Sequence, residues 1–197
     1  LFAIAGCGGD DKEVRRNALG SSAADAPSDS HANAPGGTTL AGVSFTAPAQ
    51  WQDLGANGMR KAQYRLAPVA GDAAPGEVNI FYFGPASGGG VEANLNRWIG
   101  QMVLPDGSDP AAGADRATFT ANGMPGHIVS LNGTYKSGGG RPMGGTTTLL
   151  AGYRLVGVVI EGPEGSLFFK LTGPLATAQA MERDLVVMVK EARARNP

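Results

Sequence analysis

Apolar and polar residues alternate strictly over residues 60–66, with Ala62, Tyr64 and Leu66 on one side and Lys61, Gln63 and Arg65 on the other. A period of two is that of a β-strand with one wet face. Gly42-Val-Ser-Phe-Thr46 repeats this on a smaller scale and stops at Pro48, predicting a short first strand. Glu77-Val-Asn-Ile-Phe-Tyr-Phe83 is apolar on both faces for most of its length, which places it centrally in a sheet. The period then lengthens. Val91, Leu95, Trp98, Ile99 and Met102 fall at i, i+4, i+7, i+8 and i+11, one face of a helix over residues 91–103 that Pro105-Asp-Gly closes.

Strands return at 117–121, 126–135 and 147–161. Glu161-Gly-Pro-Glu-Gly165 is turn chemistry, so Ser166–Thr172 comes back as a hairpin partner with Lys170 opposite Gly157. Gly173-Pro174 opens a last helix with proline in its first turn, and Ala178, Met181, Leu185, Met188, Val189 and Ala192 form its buried stripe. Three strands, a helix, four strands and a helix, joined by hairpins, predict an α+β fold: a mainly antiparallel β-sheet flanked by helices. The repeated βαβ crossovers of a doubly wound nucleotide fold are absent.

Ahead of this domain the pattern vanishes. From Gly8 to Thr39, Val14 and Leu19 are the only large aliphatic residues. Such a stretch cannot bury enough surface to offset its ordering entropy, and as a flexible coil it spans on the order of 30 Å. Before it, Ile4-Ala5-Gly6-Cys7 resembles a bacterial lipobox: an aliphatic residue, two small ones, then a cysteine whose thiol takes the lipid. The resemblance implies three parts: residues 1–6 as the end of a signal peptide, 7–39 as lipidated Cys7 and linker, and 40–197 as one α+β domain. It also implies an extracytoplasmic position on the cell envelope. Each buried CH₂ contributes about 0.8 kcal/mol, so two or more acyl chains suffice as an anchor. Gly8 after the cysteine, where aspartate would retain it, favours the outer membrane of a two-membrane cell.

Gly42-Val-Ser-Phe-Thr-Ala-Pro48 with Trp51, and Leu167-Phe-Phe-Lys-Leu-Thr-Gly-Pro174 leading into the closing helix, resemble the PsbP-like group. That likeness implies an α/β/α sandwich and an accessory or binding role. Met59-Arg-Lys-Ala-Gln-Tyr-Arg65, Phe81-Tyr-Phe-Gly84 and Asn94-Leu-Asn-Arg-Trp98 are similar to strings in uncharacterised bacterial lipoproteins, which imply no activity.

Composition narrows the chemistry. A net charge of −1 gives no electrostatic argument for nucleic acid. One cysteine allows no internal disulfide, and two distant histidines make no soft metal site, so neither metal nor cofactor is expected. Asp106-Gly-Ser-Asp109 lacks the spacing and closing glutamate of a calcium loop. The loop Phe83-Gly-Pro-Ala-Ser-Gly-Gly-Gly90 lacks the Lys-Ser/Thr of a phosphate-binding loop. It also lacks the first glycine of a nucleophile elbow, although Ser87 with His127 as base keeps a small envelope hydrolase as an alternative. Otherwise His127, on the face of Val129 and Leu131, reads as a hydrogen-bonded core residue.

The contact candidates are polar. Asn94, Arg97 and Gln101 form a stripe along the first helix, either a solvated outer face or a partner contact. Lys136, Arg141 and Met143 lie in the glycine-rich segment 136–145, and loops on rigid scaffolds often carry function. Lys170 interrupts an apolar strand as a snorkelling side chain or a pocket cation, with Gly157 opposite leaving it room. A pocket beside it would suit an apolar small molecule. The leading expectation is a monomeric, non-catalytic, lipid-anchored domain that contacts a protein or other envelope component.

Overall fold

The computed structural model describes residues 37–69, 71–85, 87–138 and 146–195; Cys7, Arg141 and Met143 lie outside them. The strands are β1 (Thr38–Leu40), β2 (Val43–Phe45), β3 (Gln52–Asp53), β4 (Arg60–Leu66), β5 (Gly76–Phe81) and β6 (Met102–Val103). They continue with β7 (Asp115–Ala121), β8 (Met124–Ser137), β9 (Thr148–Gly162), β10 (Gly165–Pro174) and β11 (Arg193–Ala194). The helices are α1 (Val91–Ile99) and α2 (Leu175–Glu191).

The main sheet has eight strands in the order β3-β4-β5-β10-β9-β8-β6, and β7 joins it beside β8. β7 pairs with the first part of β8, from Met124 to Ser130, and β6 with Thr134 and Tyr135 beyond it. Every pairing is antiparallel. The α+β class is therefore as the hydrophobic periods predict, and the hairpin of β9 and β10 has the expected register, Lys170 opposite Gly157. A separate sheet of three strands, β1-β2-β11, lies beside it.

Side chains of β10 alternate between two cores. Leu167, Phe169 and Leu171 pack with Met181 and Leu185 of α2, whereas Phe168 packs with Leu95 and Trp98 of α1. The helices thus cover opposite faces. No helix among the described residues is long and apolar enough to cross a membrane.

Four details differ from the expected boundaries. α1 stops at Gly100, whose N–H bonds to the Asn96 carbonyl at 3.0 Å. Met102 prolongs the apolar stripe but is buried from β6, opposite Tyr135. Pro174 precedes the first turn of α2, as its N-cap. β1 begins at Thr38, inside the stretch expected as linker, because Ala41 and Gly42 take positive φ (49° and 70°) and fold Thr38–Leu40 back onto β2.

Candidate functional site: the polar half of the sheet

Gln63, Asn79, Lys170, Gly157 and Val129 stand in one register row across β4, β5, β10, β9 and β8. Arg65, Glu77, Thr172, Leu155 and Leu131 form the next row on the same face. Both rows change character midway, from polar side chains on β4, β5 and β10 to glycine and apolar residues on β9 and β8. Helix α1 packs on the apolar half through Leu95, Trp98 and Ile99. The polar half keeps solvent contact, with Arg65 and Glu77 side chains 42% and 39% exposed and paired at 2.7 Å.

Lys170 stands at the seam. Its Nζ donates to Gln101 Oε1 at the end of α1 and to the Tyr135 hydroxyl at 2.9 Å. It also sits 4.9 Å from the centre of the Tyr135 ring, a cation–π contact. Tyr135 stacks on Tyr153 with ring centres 6.2 Å apart. Among the described residues no carboxylate pairs with Lys170. Desolvation, then the charges of Arg97 and Arg60, lower its pKa to about 8. Arg60 donates to Gln63 Oε1 at 2.9 Å and Arg97 to Asn94 Oδ1, so both guanidiniums rest on neutral amides. The Asn79 side chain, half-buried next to Lys170, has no hydrogen-bond partner among the described residues.

Two expectations about this region change. The space over Gly157 belongs to Trp98, whose ring a Cβ there would strike, and not to Lys170. Asn94 is 1% exposed, and its amide donates to the carbonyls of Gly88 (2.7 Å) and Gly90 (3.1 Å). It binds α1 to the loop before it and is not part of a solvated stripe. Arg97 remains exposed, while Gln101 turns toward Lys170. Lys136 is half-buried on β8, its backbone N–H donating to the Gln101 carbonyl at 2.8 Å.

The other candidates lie apart. His127 Nε2 meets Glu161 Oε1 at 2.9 Å, hydrogen-bonded as expected, but the ring is 26% exposed and so stands at the surface. Ser87 follows β5, and β10 and β9 separate that strand from His127 on β8. No hydrogen bond joins Ser87 and His127 among the described residues, so the pair that a hydrolase would need is not assembled there. Asp106 accepts from the Ser108 N–H (3.0 Å) and hydroxyl (2.7 Å), which hold its carboxyl below the usual range. Among the described residues no three His, Cys, Asp or Glu side chains gather as a metal site. A cavity of about 680 Å³ lies between the small sheet and the end of α2, lined by Thr39, Ser44, Phe45, Met188 and Arg193 among others, and does not border Lys170.

Sequence periodicity shows Lys170 as an interruption, but not its setting. The neighbours Gln63, Asn79 and Glu77 belong to strands that are distant in sequence, and only the sheet order brings them beside it.

No family model matches the chain, and no curated protein matches it. Among solved structures, a Pseudomonas aeruginosa protein of unknown function is similar at 18% identity and a TM-score of 0.44, over 82% of this chain and 98% of that one. The cyanobacterial PsbP of Synechocystis sp. PCC 6803 is similar at 11% identity and a TM-score of 0.44, over 78% and 87% of the two chains. At these values neither likeness carries an argument about ligand or activity.

Proposed function

We propose that this chain is a non-catalytic accessory domain, held on the outer side of a bacterial membrane by lipid on Cys7, that docks an envelope component against the polar half of its sheet. Lys170 carries the reading: a cation without a carboxylate partner among the described residues, with Arg97 and Arg60 bearing on it, on a face where α1 covers only the apolar half. A desolvated ammonium costs stability unless an opposite charge meets it, so the arrangement makes sense for a surface that an acidic group completes. The tether supplies reach.

A photo-crosslinking residue at Thr172 tests the docking. A salt-sensitive adduct is expected in intact envelopes, lost in Lys170→Met and not seen from Val187, an exposed position on α2 (54%). Equal adducts from Thr172 and Val187 would sink the reading. Cys7→Ser tests the address: the variant should leave the membrane fraction, and one that fractionates like the parent overturns the anchor.

A further inference from the structure

We infer that the polar half of the sheet holds a carboxylate subsite formed by Lys170 and Asn79, through which the docked component is gripped. The inference rests on the docking proposal and deepens it.

An ammonium has three donors. Gln101 and Tyr135 take two of those on Lys170, which leaves one. Asn79 is its direct cross-strand neighbour on β5, on the same face, where opposed side chains start about 5 Å apart. The Asn79 amide has no hydrogen-bond partner among the described residues. From paired positions on β10 and β5, one ammonium donor and one amide donor can converge on the two oxygens of a carboxylate. A charge-assisted hydrogen bond of this kind is about twice as strong as a neutral one.

The surroundings favour a single negative charge. Glu77, one row away, already accepts from Arg65 Nε (3.2 Å) and a terminal guanidinium nitrogen (2.7 Å), so it does not neutralise Lys170. Arg97 and Arg60 add positive potential without closing an ion pair among the described residues. Tyr135, itself stacked on Tyr153, holds the ammonium from one side. A phosphate would bring more negative charge toward Glu77 and find too few donors for its oxygens.

Arg97 of α1 and Arg60 of β4 bear on Lys170, Tyr135 of β8 meets it directly, and Glu77 of β5 bears in turn on Tyr135 and Tyr153. An anion seated there offsets the repulsion from the two arginines, so its binding draws Lys170 back toward the ordinary lysine range.

Propionate titrated into the full chain tests the subsite, followed by NMR at the Asn79 side-chain amide and the Lys170 Cε. Saturable shifts at both are expected, with inorganic phosphate weaker by tenfold or more. Lys170→Met should abolish them, while Asn79→Ala and Arg97→Gln should weaken propionate several-fold in proteins that still unfold cooperatively. Absence of saturation, shifts that persist without Lys170, or equal saturation by phosphate overturns the inference. If propionate fails while the Thr172 adduct survives, the carboxylate assignment alone is wrong; if both fail, the docking reading falls with it.

Discussion

The indole of Trp98 lies against Gly157, so close that even one added methyl group on β9 would collide with its ring. A glycine in mid-strand weakens the strand locally, yet here it sets how near α1 can approach the sheet. Gly157→Ala should destabilise the domain by about 1–3 kcal/mol, the usual cost of overpacking. Trp98→Leu, which relieves the clash, should make the double variant less unstable than the two single losses combined. Urea unfolding of the four proteins gives the coupling, and strict additivity would show that the contact does not matter.

Asn94 is buried beneath the glycine loop and feeds its amide to the backbone carbonyls of Gly88 and Gly90. Asn94→Ala should cost about 0.5–1.5 kcal/mol, the net contribution of a lost hydrogen bond to partly solvated carbonyls. Hydrogen exchange should quicken at the start of α1 before it does in the central strands.

The first turn of α2 is capped from a distance. The Thr177 N–H and hydroxyl both donate to Asp72 Oδ2, at 2.7 and 2.6 Å, and the Thr177 hydroxyl accepts from the Val69 N–H at 3.1 Å. Proline at the preceding position provides no side-chain cap. Asp72→Ala should therefore lower stability by about 1–2 kcal/mol, the range for a lost helix cap. A melting temperature equal to the parent's would refute the cap.

The stability profile against pH should carry the signature of Lys170. Its pKa is about 8 in the folded state against 10.5 ordinarily, so between those values the unfolded chain binds more protons. Stability then rises with pH across that window, and below about 8 the penalty is fully present. Burial raises Tyr64, Tyr135 and Tyr153 above 10.0, which makes stability fall at still higher pH, so the rise is best measured before they titrate. Lys170→Met should flatten the rise and be the more stable protein at neutral pH. A slope unchanged by the substitution would show that another group is responsible.

How much of this was readable beforehand varies by element. The turn Glu161–Gly165 pins Gly162 to Gly165, and the register that puts Lys170 opposite Gly157 follows from it. The long strands announce themselves by period. β1, β3, β6 and β11 contain two or three residues each, too few to show one. Asn122-Gly123 with positive φ turns β7 into β8, a hairpin signal that residue types alone could have disclosed. Met102 misleads because a strand buries it where a longer helix would have. The spacing of Asn94, Arg97 and Gln101 is real, but its direction depends on a polar half-sheet that exists only once β4, β5 and β10 lie side by side.

β2 takes β1 on one edge and β11 on the other, so the first and last strands of the described chain meet in one small sheet. Val43 and Phe45 join the core on the α2 side, and there the hydroxyls of Thr38 and Tyr64 are hydrogen-bonded at 3.0 Å. The eight-stranded sheet accordingly stands as a wall between Thr38, with the small sheet it opens, and the side that carries Lys170.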